Sequence, residues 1–248
     1  MLRHFASFVM VGSSMEVKVS IAQTNKYAVS HCGDSVDVVE RPQGGVSLVL
    51  ADGQGSGKSA KTTSSVVVNK AIALIADGTR DGAVARSAHD YLYVLKDGKV
   101  SSTLTLISAD FATDTVVISR NSNCPVIMKD EFGITFYDES VNSIGVHRSM
   151  KPLMYQVPLM PGSIFISYTD GIQAAGKKYS KEIDMEYIKK IIAENSVDDT
   201  AFIANSILEY ALSLDQNRAG DDMTIAVMSI RKKTSDNKIK YVNVSYPY

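Results

Sequence analysis

The chain has 248 residues, 45% of them hydrophobic, which is enough to bury a full core, and a single domain over residues 1–248 is expected. Its 26 Lys and Arg nearly cancel its 27 Asp and Glu, so it lacks the general basic field that nucleic-acid or anionic-membrane binding draws on. Two cysteines, Cys32 and Cys124, make neither a disulfide framework nor a C-x-x-C pair, and no apolar run approaches the ~20 residues of a membrane span, so a cytoplasmic location is expected.

The first fourteen residues, MLRHFASFVMVGSS, lack a signal-peptide layout and run straight into a strand-like segment, so they read as ordered structure or a frayed arm. Glu16 to Ala22 alternates with period two, and Tyr27 to Cys32 and Val46 to Ala51 are short β-rich runs, with Gln43-Gly44-Gly45 as the turn between the last two. The period becomes helical from Gly57 to Ala76 and again from Ala83 to Leu95, with Asp77-Gly78 and Asp97-Gly98 as stops. Strands then resume at Thr103 to Ser108, Thr115 to Ser119, Pro125 to Lys129, Ile134 to Tyr137 and Ser163 to Tyr168. Two helices, Asp184 to Glu194 and Asp198 to Leu214, precede a last strand at Met223 to Ile230. Hairpin runs separated by paired helices predict an α+β fold rather than alternating βαβ units. Tyr241 to Tyr248 reads equally as a pairing strand, a partner-binding tail or neither.

One stretch, LVLADGQGSGKSAKTTSSVVV, nearly spells the phosphate-binding loop G-x-x-x-x-G-K-[ST], with Gly57, Lys58 and Ser59 as its last three letters. The first letter fails: the position that must be glycine is Asp52, a carboxylate where backbone N–H groups should face phosphate. Consecutive strands also fit poorly with the parallel sheet of such nucleoside triphosphatases, even though SIFISYTD offers an apolar strand ending in Asp.

Acidic residues at strand ends beside glycine carry the other reading. Asp34 follows Gly33, Asp52 precedes Gly53, Asp170 precedes Gly171, and Asp221 with Asp222 precedes the strand MTIAVMSI. Each Asp-Gly alone is an ordinary turn. Several in one chain, with no Cys/His cluster, suit a hydrolytic centre for two hard cations such as Mg²⁺ or Mn²⁺, which select carboxylate and carbonyl oxygens.

These residues resemble the SpoIIE-like branch of the metal-dependent type 2C (PPM) protein serine/threonine phosphatases. The resemblance runs in order from about Tyr27 to Arg231: His31-Cys32-Gly33-Asp34, the element Ala51 to Ala60, Asn121-Ser122-Asn123-Cys124-Pro125, Ile144-Gly145, the segment LMPGSIFISYTDGIQAA, and Gly220 to Thr224. It implies an α-β-β-α sandwich of two antiparallel sheets between helix pairs. It implies that Asp52 bridges two Mn²⁺ or Mg²⁺ ions, that the Gly53 carbonyl binds one, that Asp170 and Asp221 complete the other site, and that Asp34 holds water beside the metals. Asp222 would support without ligating. The implied reaction is hydrolysis of phosphoserine or phosphothreonine on a regulatory partner protein, often a STAS-type anti-sigma factor antagonist, by water that the two cations activate. Nucleic acid and membrane are not expected as partners, and the sequence does not set an oligomeric state. The alternatives are a catalytically silent phosphoprotein-binding module and, further off, the nucleoside triphosphatase.

Gln54 stands where many type 2C enzymes place a histidine, so no residue is assigned to protonate the leaving group. Lys58 either contacts the substrate phosphate or is a solvated side chain, and Ser56 or Ser59 reads as a helix cap rather than a nucleophile. His31, His89 and His147 lack metal-ligand spacing and read as structural or surface residues, and both cysteines as small buried hydrophobes.

Overall fold

A computed structural model describes residues 15–233 and 239–245; the N-terminal segment and the last three residues of the C-terminal run lie outside the described residues. Ten strands and five helices follow the order β1(Met15–Thr24), β2(Asp34–Glu40), β3(Gly45–Asp52), α1(Gly57–Ala76), α2(Asp81–Leu95), β4(Leu104–Asp110), β5(Thr115–Asn121), β6(Val126–Asp130), β7(Gly133–Tyr137), β8(Leu153–Pro158), β9(Ile164–Tyr168), α3(Asp170–Gln173), α4(Met185–Glu194), α5(Thr200–Leu214) and β10(Met223–Lys232). One sheet runs β1-β10-β9-β6-β7 and the other β2-β3-β4-β5-β8. Their strand pairs are antiparallel throughout, which removes the parallel sheet a phosphate-binding loop would need.

The expected sandwich follows from three apolar layers. Between the sheets, Leu48, Ile107 and Ile118 from one face Phe165, Ala226 and Met228 from the other. Outside the first sheet, Ile166, Ile225 and Val227 pack against Ile188, Ile203 and Ile207 of α4 and α5. Outside the second, Val49, Leu104 and Leu106 pack against Val67, Ala71, Val84 and Leu92 of α1 and α2. Central strands are therefore buried on both faces, which explains their unbroken hydrophobic runs.

The strand expectations are corrected at two places. Residues 27–32 form no strand; Ala28 has φ +63°, and Asp222 accepts hydrogen bonds from the backbone N–H of Lys26 and of Gly33, each at 2.8 Å. That pinning loops the chain out, and the strand lies just beyond, at β2. The turn at Gln43 and Gly44 therefore joins β2 to β3. Strand β8 was not expected: it is an edge strand with alternating exposure, ending in proline at one side. Residues 239–245 are irregular, with Lys240 paired to Glu40.

The end of the sandwich where β2 begins and β3 ends carries the site. The opposite end is closed by a buried polar network in which Arg41 reaches Ser47 at 2.9 Å, Asp81 at 3.3 Å and Asp110 at 3.5 Å. Asp81, at the start of α2, also accepts from Ser108.

Candidate metal centre

Period two places the site. Along the inner face of β3 the side chains run Leu48, Leu50, Asp52, and directly across on β2 stands Asp34 as the cross-strand partner of Asp52. On the facing sheet the inner row of β9 runs Phe165, Ser167 and on to Thr169, whose N–H continues the ladder to the Thr224 carbonyl at 3.0 Å. The inner row of β10 runs Met228, Ala226, Thr224. The face that is apolar in the middle of the sandwich thus turns polar in its last rungs on both sheets, and Asp170 and Asp221 follow at the ends of those strands.

Asp34 is the fixed point. It is 1% exposed, and its Oδ2 accepts from Thr169 Oγ1 at 2.8 Å and Thr224 Oγ1 at 2.6 Å, so a carboxylate of one sheet is held by two hydroxyls of the other. Lys61 on α1 donates to the Asp34 carbonyl at 2.8 Å. Asp52 is anchored through its backbone: its N–H donates to Thr103 Oγ1 at 2.9 Å and its carbonyl accepts from Ser102 Oγ at 2.7 Å. Its side chain is left to the cleft, within hydrogen-bond reach of the carboxylates of both Asp34 and Asp170.

The electrostatics follow from packing these groups together. Burial, then repulsion by Asp34, Asp170 and Asp221, pushes Asp52 up to about 8. Burial also pushes Asp34 up to about 7, with Asp222 and Asp170 adding to it and the Thr224 and Thr169 hydroxyls opposing it. Asp170 is raised as well, by burial and then by Asp221. An ion pair of 3.7 Å between Lys26 Nζ and Asp221 and the field of Lys177 at Asp170 offset this repulsion only in part. A cluster of oxygen donors with surplus negative charge fits a hard divalent cation. The four carboxylates form a series of neighbours; among the described residues no three His, Cys, Asp or Glu side chains converge closely enough to hold a metal ion as they stand.

Two glycines permit the arrangement. A Cβ on Gly53 would lie 2.2 Å from the Ala60 carbonyl, and one on Gly171 would lie 2.0 Å from the Asp222 carbonyl, so each Asp-Gly corner depends on close backbone approach. Gly53 is bridged to Ser102 through the Asp52 carbonyl and the Gln54 N–H, which leaves the Gly53 carbonyl itself directed away from that strand.

The remaining candidates fall outside the acidic cluster. Both Asp222 oxygens are taken by the Lys26 and Gly33 N–H groups, so Asp222 fastens a loop. Gln54 is turned onto Ser101, whose N–H it accepts at 2.8 Å. Ser56 occupies the N-cap position of α1, but its side chain makes no capping bond, and Lys58 and Ser59 are exposed. His31 is bonded to Ser30, His147 is exposed, and His89 is buried with Nδ1 accepting the Gly145 N–H at 3.1 Å. Burial pushes both Cys32 and Cys124 up to about 12, so the two are unreactive buried thiols. The sequence reading passed over Thr169 and Thr224; the only signal was a hydroxyl at the polar end of each inner row.

Residues 42–231 match the family model of stage II sporulation protein E (SpoIIE). The PP2C phosphatase domain with a regulatory-domain fragment of SpoIIE from Bacillus subtilis superimposes with a TM-score of 0.74 at 21% identity, over 86% of this chain and 63% of that one. RsbX in complex with magnesium gives 0.68 at 19%, over 88% and 98%. The catalytic domain of the serine/threonine phosphatase PstP with two manganese ions gives 0.67 at 16%, over 88% and 100%. No curated protein matches the sequence. The fold, with its acidic cluster at one end of two packed antiparallel sheets, is that of a PP2C-type phosphatase domain. The matched span exceeds half of the chain, and the chain belongs to the SpoIIE family. Asp52, Gly53, Asp170 and Asp221 lie inside the matched span, while Asp34 lies before it and takes its place from geometry.

Proposed function

We propose that the protein is a metal-dependent serine/threonine phosphatase whose Mn²⁺ or Mg²⁺ ions are held by Asp52, the Gly53 carbonyl, Asp170 and Asp221. One observation carries this reading: four carboxylates from two different sheets are brought together with their charge only partly offset. Bound there, two divalent cations supply Lewis acidity toward water and the phosphoryl oxygens. The chain's own contribution is placement. Asp52, anchored through its N–H and carbonyl, places its carboxylate beside those of Asp34 and Asp170. Asp34 has one oxygen committed to Thr169 and Thr224 and keeps the other to orient a water. Gln54, bound to Ser101, is an amide without a transferable proton, so the leaving oxygen takes its proton from solvent in the cleft.

The substrate is phosphoserine or phosphothreonine on a folded regulatory protein, and the partner class proposed is a STAS-type anti-sigma factor antagonist, as the family resemblance implies. A near-neutral chain with net charge −1 suits recognition by shape better than recognition of a polyanion. No helix among the described residues is long and apolar enough to cross a membrane. Hydrolysis of p-nitrophenyl phosphate with Mn²⁺, abolished by EDTA, tests the chemistry; turnover that persists in EDTA overturns it. Comparing kcat/KM for phosphorylated STAS domains and for random phosphopeptides tests the partner, and equal values would remove it.

A further inference from the structure

The candidate ligands Asp170 and Asp221 belong to different segments, one opening α3 and the other preceding β10; the β9–β10 register ends at Tyr168 and Ile225, and contact continues through the Thr169 N–H to the Thr224 carbonyl and through the close approach of Gly171 to the Asp222 carbonyl. Those contacts hold the two ligands from the strand side, and Asp215 ties the same segments together from the other side. Asp215 caps the C-terminus of α5 and is 3% exposed. Its Oδ1 accepts the Gly176 N–H at 2.8 Å and its Oδ2 the Gly220 N–H at 2.7 Å. Gly176 is six positions after Asp170, and Gly220 is adjacent to Asp221, so one carboxylate fastens both ligand-bearing segments.

A buried carboxylate at a helix C-terminus is an unfavourable placement, since the helix presents its own partial negative charge there. Two charge-assisted hydrogen bonds to main-chain donors offset that cost, and a neutral side chain would offer one good acceptor in place of two. Both donors are glycines for local reasons. Gly176 has φ +85°, which turns its N–H inward, and a Cβ on Gly220 would come within 3.2 Å of Asp215 Oδ2. The same turn also holds the approach to Asp34: the Ala219 carbonyl accepts the Tyr27 N–H at 2.9 Å, and Asp222 holds Lys26 and Gly33.

We propose that Asp215 is a positioning residue that sets the separation of Asp170 and Asp221, and through it the affinity for a divalent cation. The proposal rests on the metal-dependent reading above, and its test uses Mn²⁺ binding, which does not require turnover. The variant is Asp215→Asn. The control is Asp81→Asn, a buried carboxylate at the other end of the sandwich that binds Arg41 and Ser108.

Calorimetric titration with Mn²⁺ is expected to show Asp215→Asn binding about tenfold more weakly, the scale at which residues supporting a metal's ligands act. Asp81→Asn is expected to bind as the wild type does, even if it melts lower. In turnover, the Mn²⁺ needed for half-maximal rate rises about tenfold for Asp215→Asn while KM for p-nitrophenyl phosphate stays within twofold, and excess Mn²⁺ restores kcat. Equal Mn²⁺ affinity in wild type and Asp215→Asn, or equal losses in the two variants, overturns the proposal. A second measurement needs no variant: in the wild type the Gly176 and Gly220 amides should exchange with deuterium far more slowly than exposed amides, and rapid exchange of either also overturns it. Wild type that binds Mn²⁺ without hydrolysing phosphoesters would sink the phosphatase reading and leave the positioning role intact.

Discussion

Removing the carboxylate proposed to bridge the metals, Asp52, should make the metal-free protein more stable while destroying its activity. Asp52→Asn takes away one of four crowded negative charges and keeps the side-chain size. Burial and three neighbouring carboxylates raise Asp52 from 3.8 to about 8. About four pH units at 1.36 kcal/mol each set a ceiling of about 6 kcal/mol. The repulsion is shared with Asp34 and Asp170, and asparagine still bears the burial of a polar group, so about 2 kcal/mol is the expected gain. For a chain of this size that is about 4–8 °C in Tm. The sign follows from proton uptake. With the folded group above its unfolded value, native protein binds more protons between about pH 4 and pH 8, so metal-free wild type loses stability as pH rises through that window. Asp52→Asn lacks this contribution, so the two melt alike near pH 4 and differ most above pH 8. The assay is thermal unfolding followed by circular dichroism in EDTA from pH 4 to 9. If Asp52→Asn melts at or below the wild-type temperature at pH 8.5, the carboxylate repulsion argued from the structure is wrong. Adding Mn²⁺ should then raise the Tm of wild type far more than that of the variant.

In Mn²⁺, p-nitrophenyl phosphate turnover should fall furthest in Asp52→Asn, then in Asp170→Asn and Asp221→Asn, because under the proposal Asp52 serves two ions; full activity in Asp52→Asn would contradict the metal assignment. Thr224→Val deletes a hydroxyl donor to the buried Asp34 carboxylate, a loss of about 1.5–3 kcal/mol, and should lower Tm at pH 8 more than at pH 4; a melt unchanged at both pH values would show the bond to be dispensable. Gly171→Ala brings a Cβ to 2.0 Å from the Asp222 carbonyl, so the corner must open, and Mn²⁺-dependent turnover should drop by on the order of a hundredfold or more; wild-type turnover would refute the close approach. Lys58→Ala should stay within about tenfold of wild-type kcat, about 1.4 kcal/mol, and submicromolar Lys58-dependent ATP binding by calorimetry would reverse the rejection of the phosphate-binding loop.

The helices and central strands were legible because their signals are local. The long apolar period of α1 and the doubly buried runs of β4, β9 and β10 each carry their pattern within one segment. Asp34, Asp52, Asp170 and Asp221 were legible for a related reason, since each sits at a strand end with glycine beside it. The misplaced second strand shows where local reading ends. Residues 27–32 have strand-like composition, but what decides their path is Asp222, about 190 residues later, which holds the backbone on either side of them. Strand β8 was hidden by its two flanking prolines, which mark an edge strand as readily as a loop. The roles of Thr169, Thr224 and Asp215 were not legible, because a threonine or aspartate acquires its role only when distant segments meet it.

The pairing of β1 with β10 along its whole length, Met15 with Lys232 through Thr24 with Met223, has a consequence for synthesis. Strand β1 leaves the ribosome about two hundred residues ahead of its partner, on the order of tens of seconds at roughly 5–20 residues per second. During that interval β1 has no partner, and Asp34 lacks the hydroxyls of Thr169 and Thr224 that lie 135 and 190 positions further on. A nascent chain can therefore assemble the β2-β3-β4-β5 half with its helices and still possess no working site. The proposed site is complete only once β10 has been translated, and a chain truncated before Met223 is expected to leave β1 unpaired and β9 as an exposed edge for chaperones or proteases to capture.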